Sequence, residues 1–159
     1  MVREPALTVP ESASDKTLRQ FSGYAMKRAF NAVQADLNAV LTPHGLRMLT
    51  FSALVIVVDN AGLRQSQLAD ALAIERPNLV LVVDELERAG LITRNPAPGD
   101  RRAYALTPTE AGRTLCAAAL ASVQAHEDRM TGALTETERM ALNRALHAIE
   151  MARTGGRTK

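Results

Sequence analysis

Residues 64–106 read RQSQLADALAIERPNLVLVVDELERAGLITRNPAPGDRRAYAL, and the order of elements in this stretch decides the fold. In RQSQLADAL, Leu68, Ala69 and Leu72 recur at the three-to-four spacing of one buried helix face. Ala73-Ile74-Glu75 then turns the chain, and Pro77 suits the first turn of a new helix, because its fixed φ is helical and its missing N–H would be unpaired there anyway. The second helix therefore begins near Arg76 or Pro77, runs through NLVLVVDELERAG and stops at Gly90, a residue able to take the left-handed conformation that ends helices. Leu79, Val82, Val83 and Leu86 form its inner stripe. LITR and RRAYAL follow as two short β-forming runs, separated by the turn formers of NPAPGD. That is a hairpin with a long tip, carrying Asp100, Arg101 and Arg102. Helix, turn, helix and hairpin predict a winged helix-turn-helix.

Outward from this lobe the chain reads as helices. At 159 residues and 47% hydrophobic content it is long enough for one domain with a real core. Residues 1–14 mix prolines with small and charged residues without a period and are expected to be mobile. From Asp15 a long, mostly buried helix is expected, with Leu18, Phe21, Tyr24 or Ala25, Phe30, Val33, Leu37 and Leu41 on one side. Thr42-Pro43 looks like a cap and first-turn proline opening a helix through HGLRMLTFSALVIVVDN, with Gly62 just past its end. Leu46, Leu49, Ala53, Ile56 and Val57 form one stripe of it, and His44, Arg47, Met48, Phe51 and Val55 another.

Beyond the hairpin, Thr107-Pro108-Thr109-Glu110 reads as a capping box opening a helix to about Thr131, with Leu115, Ala119, Leu120, Val123 and Met130 on its apolar side. Thr135-Glu136-Thr137-Glu138 repeats the box before a last helix bearing Leu142, Ala145, Leu146 and Ile149 and ending at Gly155-Gly156. The fold class is mainly α with a small β wing: residues 42–106 make the winged lobe, flanked by helices over 15–41 and 107–154. The apolar stripes of those end helices exceed what a small lobe can cover, which points to a partner, with a monomeric helical cap as the alternative.

Charge alone does not announce a nucleic-acid binder. The net charge is +2, and residues 64–113 hold seven basic and seven acidic side chains, so any basic surface must come from arrangement. Arg76 and Asn78 are the polar residues best placed at the start of the second helix, and arginine pairs with guanine O6/N7 as asparagine does with adenine N6/N7. Gln65, Ser66 and Gln67 can bond a phosphate backbone, which positions a protein without reading sequence. Val80 and Leu81 are apolar: they can meet thymine methyls, or one can be core. Glu75 can accept from cytosine N4 or cap the helix. Asp84 and Glu85 with Arg88 have the spacing of a solvated charge pairing. The competing reading is an ordinary helical subdomain with a charged hairpin.

Arg47, one turn before Phe51 and near His44, has the chemistry to hold the carboxylate and ring of an aromatic acid, since guanidinium binds carboxylate bidentately. Tyr24 joins them as a candidate from the aromatic stripe of the first helix. Against this, Arg47 can simply pair with an acid, and the aromatic residues can simply be packing. No catalytic or metal constellation stands out: His44, His126 and His147 are scattered, Cys116 stands alone, and no phosphate-binding glycine loop is present. The expectation is a chain that is not an enzyme, with no cofactor and no metal. One cysteine forms no internal disulfide, and the absence of an apolar N-terminal signal or membrane-length run points to a cytoplasmic protein with no membrane role.

LADAL, IERPNLVLVVDELERAGLITR and GDRRAYALTPTEAG, in this order, closely resemble the DNA-binding core of MarR-type transcriptional regulators, over roughly residues 41–115. The resemblance implies a wing in which Arg102 enters the minor groove, Asp100 orients it and Arg101 meets phosphate. It implies a homodimer built from the end helices, whose two recognition helices, about 34 Å apart, read a pseudo-palindromic double-stranded operator. It also implies a small effector, here a phenolic acid or its coenzyme A thioester, bound between the first two long helices and the DNA-binding lobe and releasing the DNA. This chain departs from the family at Arg64, where Ser or Thr usually caps the first helix, so that Ser66 or solvent must compensate. It departs again at Val80 and Leu81, where polar or basic residues are common. The peroxide-sensing branch carries a cysteine near the start of its first long helix, and none stands there. A ligand-independent or redox-responsive regulator using Cys116, an activator, and a protein-interaction module without DNA binding remain as alternatives.

Overall fold

The computed structural model describes residues 13–97 and 100–154, with the side chains of 97, 100–103, 153 and 154 outside the description. Six α-helices and a three-stranded sheet follow in the order α1 Ser22–Leu41, α2 Met48–Asp59, β1 Leu63–Arg64, α3 Gln65–Leu72, α4 Arg76–Arg88, β2 Ile92–Ala97, β3 Asp100–Pro108, α5 Glu110–Thr131 and α6 Glu136–Thr154. The expected mobility of residues 1–14 and the glycine stop at 155–156 fall, apart from 13 and 14, outside the described residues.

The winged lobe forms as its sequence predicts. Ala73 takes the left-handed conformation (φ 52°) between α3 and α4, Pro77 sits in the first turn of α4, and Gly90 (φ 71°) closes that helix. Leu68 and Ala69 of α3 and the stripe Leu79, Val82, Val83 and Leu86 of α4 are buried. They pack with Leu41, Leu46, Phe51, Ala53, Leu54 and Val57 from below and with Ile92 and Leu106 of the sheet. Strand order is β1-β3-β2, all antiparallel, with Leu63 opposite Leu106, Arg94 opposite Leu106 and Thr93 opposite Thr107. Strand β1 has no sequence signal. It exists because Gly62 (φ 94°) turns the chain after α2, its N–H donating to Leu106 O at 2.7 Å.

Several boundaries differ from expectation. The first helix does not run from Asp15: a 3-10 turn at Leu18–Gln20 precedes α1, which starts at Ser22. Nor is it mostly buried. Leu18, Phe21 and Phe30 lie on the surface of the single chain, and only Leu37 and Leu41 are core. Thr42-Pro43 opens a 3-10 turn rather than α2; Gly45 (φ 68°) breaks it, and α2 begins at Met48, whose N–H donates to the Asn38 side chain at 2.8 Å. Helix α2 is apolar nearly all round, so its two expected stripes merge: Phe51 of one is buried along with Ala53 and Val57 of the other, and Leu54, in neither, is fully buried too.

The hairpin strands reach further than LITR and RRAYAL, and the tip is correspondingly shorter. Residues Thr107 and Pro108 are still strand, so α5 is capped by Thr109, whose Oγ1 accepts the Gly112 N–H at 3.0 Å. The second capping box forms as expected: the Thr135 N–H and hydroxyl both donate to Glu138 at 2.8 Å. These bonds hold the Glu138 carboxyl below its usual range. Helix α5 lies along α1 and α2, whereas every described residue of α6 is exposed except Arg139. Among the described residues, no single helix is long and apolar enough to cross a membrane.

Candidate nucleic-acid interface

Helix α4 has four distinct sides, set by the 100° turn per residue. Leu79, Val82, Val83 and Leu86 face the core. Directly opposite, Pro77, Leu81 and Arg88 form the outward line, and all three are exposed. Val80, Asp84 and Glu87 tilt toward the hairpin, and Asn78 and Glu85 tilt the other way. Arg76 and Asn78 lie exposed at the start, one on each flank of the outward line. Leu81 is 66% exposed and Val80 44%, so neither is core. The Glu75 side chain makes no cap bond; only its carbonyl enters the helix, accepting from Leu79 N–H at 3.1 Å.

The flanks of α4 are tied by charges that the sequence reading paired differently. Asp84 and Glu85 do not pair with Arg88. Arg94, in β2, donates Nη1 to Glu87 Oε2 at 2.6 Å and Nη2 to Asp84, and its backbone N–H reaches Glu87 Oε1 at 3.3 Å. Glu85 accepts from Arg47 Nη2 at 2.7 Å. The hairpin is thus clamped to α4 by one guanidinium with two carboxylates, and the start of α2 is joined to the same helix on its other flank. A lone arginine in LITR gives no sign of this role, because its partners lie seven and ten residues back and depend on the hairpin folding over α4.

Gln65 and Ser66 stand half-buried at the start of α3. Gln65 lines an open recess of about 470 Å³ with Val80, Asp84, Glu87, Arg94 and Tyr104. The missing cap at Arg64 is compensated by Gln67, not Ser66: Gln67 Oε1 accepts the Arg64 N–H at 2.8 Å. The backbone of Asp100, Arg101 and Arg102 belongs to β3, and their side chains lie outside the described residues.

The four ligand candidates are not brought together within one chain. Tyr24 donates its hydroxyl to Asp15 at 2.8 Å near the start of α1, a bond that raises its pKa. The twenty residues from there to His44 amount to about 30 Å of helix. His44 Nε2 lies 2.9 Å from Ser122 Oγ of α5, Arg47 is held by Glu85, and Phe51 is in the core. Among the other histidines, His126 is buried with Nε2 3.2 Å from Asp36 Oδ2, a tertiary contact without sequence signal. Cys116 is a buried core residue, its thiol pKa pushed up by desolvation and by the Asp59 charge. Among the described residues no three His, Cys, Asp or Glu side chains are grouped to hold a metal.

Comparison with known proteins gives this surface a context. The MarR family matches residues 46–104, from before α2 through most of β3. A solved repressor, CouR, bound to a 23-mer DNA duplex, superposes with a TM-score of 0.84 at 37% identity, over 88% of this chain and 99% of that one. CouR from Rhodococcus jostii RHA1 bound to p-coumaroyl-CoA superposes at 0.76 and 32% identity, over 83% and 93% of the two chains. A proposed transcriptional regulatory protein for the hcr operon of Thauera aromatica is 31% identical over 121 residues, which is 76% of this chain and 73% of that protein. With the winged lobe, the helical flanks and the sequence likeness all in agreement, the chain belongs to the MarR family of transcriptional regulators.

Proposed function

We propose that the chain is a sequence-specific DNA-binding repressor that acts as a homodimer and releases its operator when it binds an aromatic acid or an aromatic coenzyme A thioester. The observation that carries this reading is the outward side of α4, where exposed Arg76 and Asn78 flank a helix whose opposite stripe is fully buried. Arg76 reads guanine and Asn78 adenine in the major groove, while Leu81 adds apolar contact. Gln65 and Ser66 meet the phosphate backbone. In the wing Arg102, oriented by Asp100, enters the minor groove, and Arg101 meets phosphate. Two such surfaces in a dimer, about one helical turn of DNA apart, read a pseudo-palindrome. The exposed apolar residues of α1, α5 and α6 form the dimer contact.

The likeness to CouR bound to p-coumaroyl-CoA supports the effector class. Arg47 offers a route from effector to DNA, because it is both the cationic ligand candidate and the partner of Glu85 on the recognition helix. An effector carboxylate or phosphate that draws the guanidinium away breaks that tie. The pair is half-exposed on both sides and contributes about 0.5 kcal/mol. A tenfold loss of DNA affinity needs about 1.4 kcal/mol of preference for the non-binding form, so repacking of α1 and α2 supplies the larger share.

The test is a gel-shift titration against the DNA upstream of the chain's own gene, with random DNA as competitor. Tight, competitor-resistant binding that p-coumaroyl-CoA or a related thioester reverses is expected. Arg102→Ala weakens binding to all DNA, whereas Arg76→Ala blunts discrimination between operator and random DNA. The exposed Val80 and Leu81 support one second reading, a protein-interaction module. Salt separates the two: DNA binding falls with a log-log slope of about −0.9 per phosphate contacted, and an apolar protein interface barely responds.

A further inference from the structure

We infer that Leu81, seated with Pro77 on the outward line of α4, is a specificity determinant that reads thymine methyl groups in the major groove. The inference rests on the DNA-binding reading above. Pro77 and Leu81 are four residues apart and so lie one above the other on the same helix side. Both are exposed, they lie directly opposite the buried stripe, and Arg76 and Asn78 stand on either flank. The centre of the surface that faces a groove is therefore apolar, with hydrogen-bonding groups only beside it.

The chemistry of the groove then decides what this centre tolerates. The thymine C5-methyl is the one sizeable apolar group on the major-groove edges, where the other recognition groups are hydrogen-bond donors and acceptors. A leucine pressed on a carbonyl, ring nitrogen or amino group strips its water and returns no hydrogen bond, which is unfavourable. Pressed on a methyl, it removes two apolar surfaces from water at once. At 66% exposure in the free protein, Leu81 has most of its side chain still to bury, so the contact retains nearly its full worth.

Deoxyuridine isolates the effect, because it pairs as thymine does and lacks only the methyl. Each operator thymine is replaced in turn by deoxyuridine and affinity is measured at one salt concentration. One position per half-site is expected to lose about fourfold, the worth of one buried methyl, and about fifteenfold with both half-sites changed. In Leu81→Ala, confirmed folded by circular dichroism, operator affinity falls and thymine and uracil operators bind alike.

If the native protein binds its operator tightly and specifically but no thymine-to-uracil change matters, methyl reading is wrong and DNA reading stands. A uracil effect that persists unchanged in Leu81→Ala overturns the assignment to Leu81. Absence of specific binding to any DNA, or a Leu81→Ala change seen only in self-association by sedimentation, overturns both readings.

Discussion

Replacing Gly112 by alanine should damage this protein far more than a helix position ordinarily allows. Gly112 is the third residue of α5 and is buried against Leu91, in the link between α4 and β2. A Cβ built there lies 2.0 Å from Leu91 O, 2.9 Å from Leu91 C and 3.3 Å from Leu91 Cα. All three are backbone atoms, so no side chain can swing aside, and α5 must retreat by more than about 1 Å to restore ordinary contact near 3.5 Å. The same Leu91 carbonyl accepts the Thr109 N–H at 3.0 Å, and the Thr109 hydroxyl donates to the adjoining Gly90 carbonyl at 2.7 Å, with Leu91 O 3.2 Å away. Retreat therefore stretches the bonds that join α5 to the hairpin base. Overpacking costs about 1–3 kcal/mol and two weakened hydrogen bonds about 1 kcal/mol each, against at most about 1 kcal/mol gained in helix propensity. The net loss is about 2–4 kcal/mol, which for this chain length lowers Tm by about 5–15 °C. Urea and thermal unfolding followed by circular dichroism, at one fixed protein concentration, measure it. Gly23→Ala is the control: it lies near the start of α1 with nothing within 4 Å, and it should be neutral or slightly stabilising. A Gly112→Ala protein within 0.5 kcal/mol of the native one, on the scale of ordinary surface changes, would refute the close-approach argument.

Arg94→Met, which keeps most of the side-chain volume, leaves Asp84 and Glu87 one turn apart with no cation between them. Because the Arg94 side chain is only 20% exposed, the loss should be about 1–2 kcal/mol, above that of a surface pair, and the gap from the native protein should narrow in 1 M salt; an unchanged urea midpoint would show that the clamp carries nothing. Cys116 should resist iodoacetamide at pH 8 in the folded protein and react readily in urea. Its raised pKa means that the folded state holds the proton more tightly, so this contribution to stability is fully present below the ordinary thiol range near about 8.5 and declines as pH rises through it. The urea midpoint should therefore fall on the alkaline side more in the native protein than in Cys116→Ala.

The legible parts of the chain are those whose cause is local. The turn over Ala73–Glu75, the proline start of α4, its glycine stop and its apolar stripe all follow from residues within one or two turns, whereas the left-handed backbone that Ala73 adopts in that turn (φ 52°) is not foretold by an alanine. The Thr135–Glu138 box is of the same kind. What misleads is a local signal overruled by a distant partner. Thr107-Pro108 has the letters of a helix start, but Thr107 is held in β3 opposite Thr93, with the two hydroxyls 2.8 Å apart, so the next threonine becomes the cap. Thr42-Pro43 fails because Gly45 follows and Asn38, from the preceding helix, supplies the bond that starts α2. The charges of α4 fail for the same reason: Arg88 is the nearest cation in sequence, but Arg94 and Arg47 arrive by tertiary folding.

The end helices show a different limit. The spacing of Leu142, Leu146 and Ile149 describes a helix correctly, and α6 forms; yet these residues, with Met140 and Met151, remain exposed, as do Leu18, Phe21 and Phe30 at the other end of the chain. A 19-residue helix with no buried residue among those described has little beyond its own propensity and caps to hold it, whereas most helical stability in proteins comes from packing of an apolar face. Periodicity tells which residues are to be covered without telling by what. On the proposed reading a second copy of the chain covers this pattern, and the same pairing gives the winged lobe its use. One recognition helix spans too few bases to define an operator, whereas two held at a fixed separation double the readout and make its spacing adjustable through the same helices.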